Sequence, residues 1–202
     1  ILVDAARLHR AEQKGLFSPV VSEVLSERIP RSRRHPDGLW FGLTERARVI
    51  AAHRERVPDG ALARYEDLAD PRWGGRVLTR SSSHVYNQSL VASMIATEGS
   101  EAAEAWCRGL VENFARVPQG GDRDQIRSIA AGEGDVAIVN HYYLARMLSG
   151  DDTADRAAAE AVRLIFPNQD GRGAHVNVCG AGVVHGSPNR ENAVRLLEFL
   201  AG

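Results

Sequence analysis

The chain has 202 residues, 44% of them hydrophobic and 25% charged, with a formal net charge of −1. That length can bury a core in one large domain or two lobes, and the charge balance excludes a global basic field for nucleic acid and an acidic tail. No apolar run is long enough to cross a bilayer as a helix.

In chain order, "ILVDAARL" reads as the end of a strand entering a helix. "GLWFGLTERARVIAAH" is extended, and "RVLT" (76–79) is a short strand. The following "RSSSHVYNQSLVASMIATEG" is helical, with Leu90, Val91, Met94 and Ile95 on one face. "SEAAEAWCRGLVENF" is the clearest helix: Ser100 is its expected N-cap, and Ala103, Trp106, Cys107, Leu110, Val111 and Phe114 form its stripe. "DRDQIRSIAAGEG" is a shorter helix, with Asp122 or Asp124 as its expected cap. "DVAIV" is a buried strand, "YYLARML" the helix after it, and "VRLIF" another strand. "AHVNVCGAGVVH" is a long extended run with glycines, and "NRENAVRLLEFL" is a final helix. Strands alternating with helices predict an α/β fold on a mostly parallel or mixed sheet. The opening strand end and the closing "LLEFLAG" are both expected to continue into a longer protein.

Side-chain chemistry is unevenly distributed. Lys14 is the only lysine, so the other 24 of the 25 basic residues are arginines. Coding bias explains such a skew, but guanidinium also forks onto carboxylate, phosphate or carbonate. Cys107 and Cys179 have no metal-binding spacing. No nucleophile motif, zinc motif or dinucleotide loop is present, and the seven histidines are scattered, with His141 beside the tyrosines the only tempting one.

Of four tyrosines, Tyr142 and Tyr143 are adjacent at the end of a predicted strand, and Tyr86 also follows a strand end. In α/β sheets ligands bind beyond the carboxyl ends of strands. Two adjacent phenols suit a core or interface setting with hydrogen-bonded tips. The second reading is a pair of phenolates, which need a strongly Lewis-acidic hard cation such as Fe(III) to lose their protons near neutral pH; the dipeptide alone favours the first. Arg46 and Arg48 alternate on the extended "TERARV", which predicts that both face one side.

Taken together, "VDAARLHRAEQKGLFSPV", "GLWFGLTERARVI", "YEDLADPRWGGRV", "RSSSHVYNQSLVASMI", "GLVENFARVPQGGDRDQI", "NHYYL" and "FPNQDGRGAHVNVCGAGV" resemble the periplasmic ferric-ion-binding proteins of bacterial ABC iron transporters. The segments cover most of the chain in family order. The resemblance implies an α/β, type II periplasmic-binding-protein-like fold of two lobes joined by two hinge strands, with Fe(III) as cargo. It implies a partial N-terminal lobe over 1–44 and 177–202 and a C-terminal lobe over 45–176. Tyr86, Tyr142 and Tyr143 match the family's iron-binding tyrosines. Arg46 matches an arginine that holds a carbonate-type synergistic anion, and Arg146, Asn140 and Arg48 would support the ligands from behind. Asp4 falls where phosphate-using members carry a carboxylate ligand, a role at odds with a three-tyrosine set. Cys179 stands where the family usually has serine, and a further His or Tyr ligand would come from a segment before Ile1.

The implied partner is an ABC permease. The implied location is the periplasm or the cell exterior, with a lipid anchor in a Gram-positive host; the implied state is a monomer without nucleic acid or membrane span. Two other readings share the scaffold: a binder of another small organic or phosphorylated solute, and the sensing domain of a transcription regulator. An enzyme is not expected, for want of an acid–base or nucleophile set.

Overall fold

The computed structural model describes residues 1–202. The chain divides into two compact units, residues 1–46 with 176–202, and residues 47–175.

The first unit opens with β1 (Leu2–Asp4) running into α1 (Ala5–Gln13). Asp4 caps that helix, with Oδ1 accepting from the Arg7 N–H at 3.1 Å and Oδ2 from Arg7 Nη1 at 2.8 Å. This satisfies one of the orphan donors of the first turn. Exposed Lys14 closes the helix, donating its N–H to the carbonyls of Arg10 and Glu12. After β2 (Phe17–Ser18), Ser22 caps α2 (Glu23–Arg28) by accepting the Leu25 N–H at 3.2 Å. The extended stretch is β3 (Phe41–His53), 13 residues long, which begins in this unit and ends in the second.

The second unit continues with β4 (Val77–Leu78), α3 (Val85–Glu98), α4 (Ser100–Glu112), α5 (Asp122–Ala130), β5 (Val136–Asn140), α6 (Tyr142–Leu148), α7 (Thr153–Glu160) and β6 (Val162–Ile165). β5 runs antiparallel to β3, with Arg48 opposite Asn140, and parallel to β4, with Val77 opposite Val136. β6 pairs antiparallel with β3. Strand period explains the unbroken apolar runs. Ile50, Ala52, Val136 and Ile138 enter the core under α3 and α4, while Val49, Ala51, Ala137 and Val139 enter the opposite core with Ile126, Ile129, Leu144 and Met147. Alternate side chains point to opposite faces, and helices cover both, so every position is apolar. Each such buried Val, Leu or Ile is worth about 1.5–3 kcal/mol relative to exposure.

The chain returns to the first unit through β7 (Val176–Ala181), antiparallel to β1 with Leu2 opposite Ala181, then β8 (Val183–Val184) on β2, and ends with α8 (Arg190–Leu200). Leu25, Ile29, Phe41, Ala181, Val183 and Leu197 form the main core here. The glycines of this run have a steric reason: a Cβ at Gly180 or Gly182 would collide with the carbonyl oxygen of Phe41 or Leu39.

The extended run 174–185 holds two strands, in different sheets. The sheet is mixed: β4–β5 is parallel, while β5 and β6 are antiparallel to β3 and β7 to β1. Other expectations are corrected. Ser100 is the first helical residue rather than a cap; Gly99 precedes it and no side chain caps the helix. Ile95 and Val111 are exposed, because the helical stripes are narrower than the apolar pattern. α2 and α7 were not anticipated, since both are short and α7 is built from "TADRAAAE" with little apolar periodicity.

Candidate metal centre

The parallel pairing of β4 and β5 brings their carboxyl ends to one edge of the second unit. The loop after β4 leads into α3, whose second residue is Tyr86. His141 follows β5, and α6 begins at Tyr142 and Tyr143. Sheet topology thus gathers three of the four tyrosines.

The rings of Tyr142 and Tyr143 lie 4.3 Å apart between centroids, inclined at 31°. All three tyrosines are half-buried. Burial is the largest influence on the Tyr143 hydroxyl and pushes its pKa well above the ordinary phenol value; its hydrogen bond to Tyr142, and the negative charge that Tyr142, Tyr86 and Asp122 can carry, push the same way. Without a cation this group holds neutral phenols, because each phenolate formed opposes the next.

Behind the phenols lies a buried polar network. Asp122 Oδ2 accepts from Arg48 Nη1 and from the Asn140 N–H, both at 2.7 Å, and Oδ1 accepts from Arg80 Nη1 at 3.1 Å. Arg48 Nη2 donates to Asn87 Oδ1 at 2.7 Å, and Nη1 also approaches Asn140 Oδ1 at 3.3 Å. The Arg48 side chain is 2% exposed and that of Asp122 0%. Burial lowers the Arg48 pKa and the charge of Asp122 raises it, yet at that starting value the guanidinium stays charged. Both guanidiniums sit over the ring of Tyr86, Arg48 at 5.7 Å and Arg80 at 5.3 Å from its centroid, within cation–π reach.

Two histidines are oriented by backbone donors. His141 Nδ1 accepts the Ala47 N–H at 3.1 Å and His84 Nδ1 accepts the Tyr86 N–H at 3.2 Å, so in the neutral ring Nε2 carries the proton. His84 thereby caps α3, and the three serines before it are exposed.

Of the other sequence-derived candidates, Arg46 and Asp4 belong to the first unit and the rest to the second. Arg46 Nη2 lies 2.9 Å from Cys179 Sγ. Asp4 is the α1 cap. Arg146 is exposed and no hydrogen bond or ion pair holds its side chain. Asn140 and Arg48 are in the network behind the tyrosines, where Arg48 faces Asp122 rather than solvent.

Sequence reading missed Asp122, Arg80 and Asn87. It offered Asp122 or Asp124 as the helix cap, and it is Asp124 that takes the capping contact, accepting the Gly121 N–H at 2.7 Å. The signal was present: Asp122, Ile126 and Ile129 are spaced i, i+4, i+7, so a carboxylate sat on the apolar stripe of its helix. It also passed over Tyr65 and His175. Tyr65 is 1% exposed; its hydroxyl donates to the Arg48 carbonyl at 2.5 Å and accepts the His175 N–H at 3.0 Å. Burial raises its pKa to about 12, so it is a neutral brace that holds the Arg48 backbone. Burial first, then the charge of Arg48, depresses His175 to about 4, leaving it neutral against Ser89 Oγ at 2.8 Å. Tyr65→Phe is expected to destabilise the fold by about 1–3 kcal/mol, since a buried N–H and a carbonyl lose their partner together. Chemical denaturation checks this, and a loss below about 0.5 kcal/mol would mean that both groups find other partners.

A family model described as bacterial extracellular solute-binding protein matches residues 1–202. The chain is 54% identical over 200 residues to iron uptake protein A1 of Synechocystis, covering 99% of this chain and 56% of that protein. Over 189 residues it is 27% identical to the major ferric iron-binding protein of Neisseria meningitidis serogroup B, covering 92% of this chain and 54% of that one. A Trichodesmium structure holding iron and citrate superposes with a TM-score of 0.94 at 48% identity, over 99% of this chain and 63% of that one. The chain therefore spans little more than half the length of these curated relatives.

Proposed function

The chain belongs to the bacterial extracellular solute-binding protein family, and from that membership we propose that it captures ferric iron through Tyr86, Tyr142 and Tyr143 for delivery to an ABC permease outside the cytoplasmic membrane. The observation that carries this reading is the convergence of the three phenols at one sheet edge: the Tyr142 and Tyr143 rings lie 4.3 Å apart, and the Arg48 guanidinium that lies over the Tyr86 ring also reaches Asn140, at the strand end before them. Its relatives are named for iron uptake and ferric binding, which supports the same cargo. The role is binding and hand-over, with no reaction.

Three phenolates would supply three negative charges to a trivalent ion. Phenolate oxygen is a hard donor, which favours Fe(III) over softer ions. Arg48 and Arg80 carry two positive charges against the one negative charge of Asp122, so the network behind the phenols has a net charge of +1. That sign favours phenolate over phenol. A carbonate-type co-anion on Arg46 belongs to the same proposal, as does support of the ligands by Arg146.

Adding ferric citrate to metal-free protein is expected to produce a red to orange charge-transfer band with stoichiometric iron bound. A colourless product that retains iron would exclude tyrosinate ligation. Tyr86→Phe is expected to keep the fold, weaken iron binding and move the band; an unchanged affinity and spectrum would reduce Tyr86 to packing. If neither iron nor colour were retained, the organic-solute reading of the same scaffold would take precedence.

A further inference from the structure

Strand β5 ends at Asn140, opposite Arg48 of β3, and α6 begins at Tyr142. His141 lies between them with helical backbone angles, φ −54° and ψ −39°. In an antiparallel ladder the next pair, Ala47 and His141, would exchange two main-chain hydrogen bonds. One is present: the His141 N–H donates to the Ala47 carbonyl at 3.1 Å. The other has lost its acceptor, because the carbonyl before a helix turns inward to accept the first helical bond. The imidazole takes its place, with Nδ1 accepting the Ala47 N–H at 3.1 Å. The ring does not cap α6; it is folded back onto β3. One residue earlier the Asn140 N–H is held by Asp122 at 2.7 Å, so the chain entering the tyrosine pair is tied to two different elements. Ala47 and Tyr143 also pack on one core, with Leu144 and Met147.

We propose that His141 is the positioning residue of the tyrosine pair: its Nδ1 replaces the missing strand carbonyl, keeps β3 paired one residue past the end of β5, and so fixes the direction in which Tyr142 and Tyr143 leave the sheet. The role rests on the reading of these tyrosines as iron ligands, but the positioning itself is measurable on metal-free protein. Two ligands on one helical turn move together, so a looser start of α6 displaces both oxygens and adds an ordering cost to binding. The work falls to an acceptor at this place, not to an aromatic ring. His141→Asn presents Oδ1 from the same Cγ branch that carries Nδ1 in histidine, so it is expected to serve. His141→Phe keeps a ring beside Tyr142 and Phe166 but has no acceptor, so it is expected to fail.

In metal-free protein, NMR reads the exchange of the Ala47 amide and the cross-peaks between the Tyr142 and Tyr143 rings, whose centroids lie 4.3 Å apart. The natural chain and His141→Asn are expected to show slow exchange and strong cross-peaks. His141→Phe is expected to exchange the Ala47 amide at least about fivefold faster and to weaken the cross-peaks. With ferric iron added, His141→Phe is expected to displace the tyrosinate charge-transfer band and to pass iron to a chelator at least about fivefold faster, while His141→Asn matches the natural chain in both. The band position reports ligand geometry, which a loss of fold stability alone does not move. Should His141→Phe fail to fold, His141→Ala replaces it, and its difference from His141→Asn isolates the acceptor. The proposal is overturned if His141→Phe matches the natural chain in the amide and ring signals, if it matches in band and release rate, or if His141→Asn fails with it. A natural chain that takes up iron without a tyrosinate band overturns the iron reading instead, and the metal-free signals then decide on His141.

Discussion

Asp122→Ala is expected to remove about 3–5 kcal/mol of folding stability, because it leaves Arg48 charged, buried and without its counter-ion. The pair is almost wholly buried, at 2% and 0% exposure, so the loss should persist in high salt, unlike that of a surface ion pair. In a unit of this size a loss on that scale lowers the melting temperature by roughly 10 °C or more. Asp122→Asn separates charge from hydrogen bonding: its side-chain carbonyl can still accept from the Asn140 N–H while the guanidinium loses its neutralising partner. It should fall between the natural chain and Asp122→Ala in thermal unfolding followed by circular dichroism. A shift of less than about 2 °C for Asp122→Ala would show that Arg48 reaches solvent or another acceptor at little cost.

The second large effect is the pH dependence of iron affinity. Each phenol that binds the ion must first lose a proton, and a free phenol has a pKa near ~10. For Tyr143 the value is higher still, raised first by burial. On the proposed three-tyrosine ligation, binding near neutral pH is expected to release about three protons per ion. Linkage then makes affinity fall about a thousandfold for each pH unit of acidification, after correction for the protons and hydroxides of the iron donor. The sign is fixed, since protons compete with the ion for the same oxygens. Tyr143→Phe should reduce the release to about two protons and the slope to about a hundredfold per unit. Calorimetry in buffers of different ionisation enthalpy measures the proton count directly. A count near zero would mean that the tyrosines stay neutral and that iron, if bound, is held by other groups.

Much of the fold was legible because two simple periods govern it. The runs "RVIAA" and "VAIVN" belong to strands covered by helices on both faces, and an unbroken apolar run is what that setting demands. The Tyr142–Tyr143 pair was legible for a different reason: two phenols at a strand end are rare enough to ask for a cause. Asp122 stayed hidden because a carboxylate at a helix start has an ordinary explanation, and only its spacing with Ile126 and Ile129 argues for the interior. Arg48 was read as one of two guanidiniums on a common face. Its true setting follows from partners on other elements, Asn87, Asp122 and Asn140, far apart in the chain. Long-range polar partners leave no period to read.

The basic composition has a practical consequence at the end of α1. Lys14 carries the only side-chain amine of the chain, and it is exposed in the first unit. Amine-reactive dyes, biotin esters or activated sensor chips therefore meet a single side-chain target, on a different compact unit from Tyr86, Tyr142 and Tyr143. A fluorophore coupled there reports on the molecule without modifying a phenol, and a surface coupled there holds every copy by the same helix end. The 24 arginines are inert to such reagents, so the tyrosine-bearing unit offers them no side-chain amine.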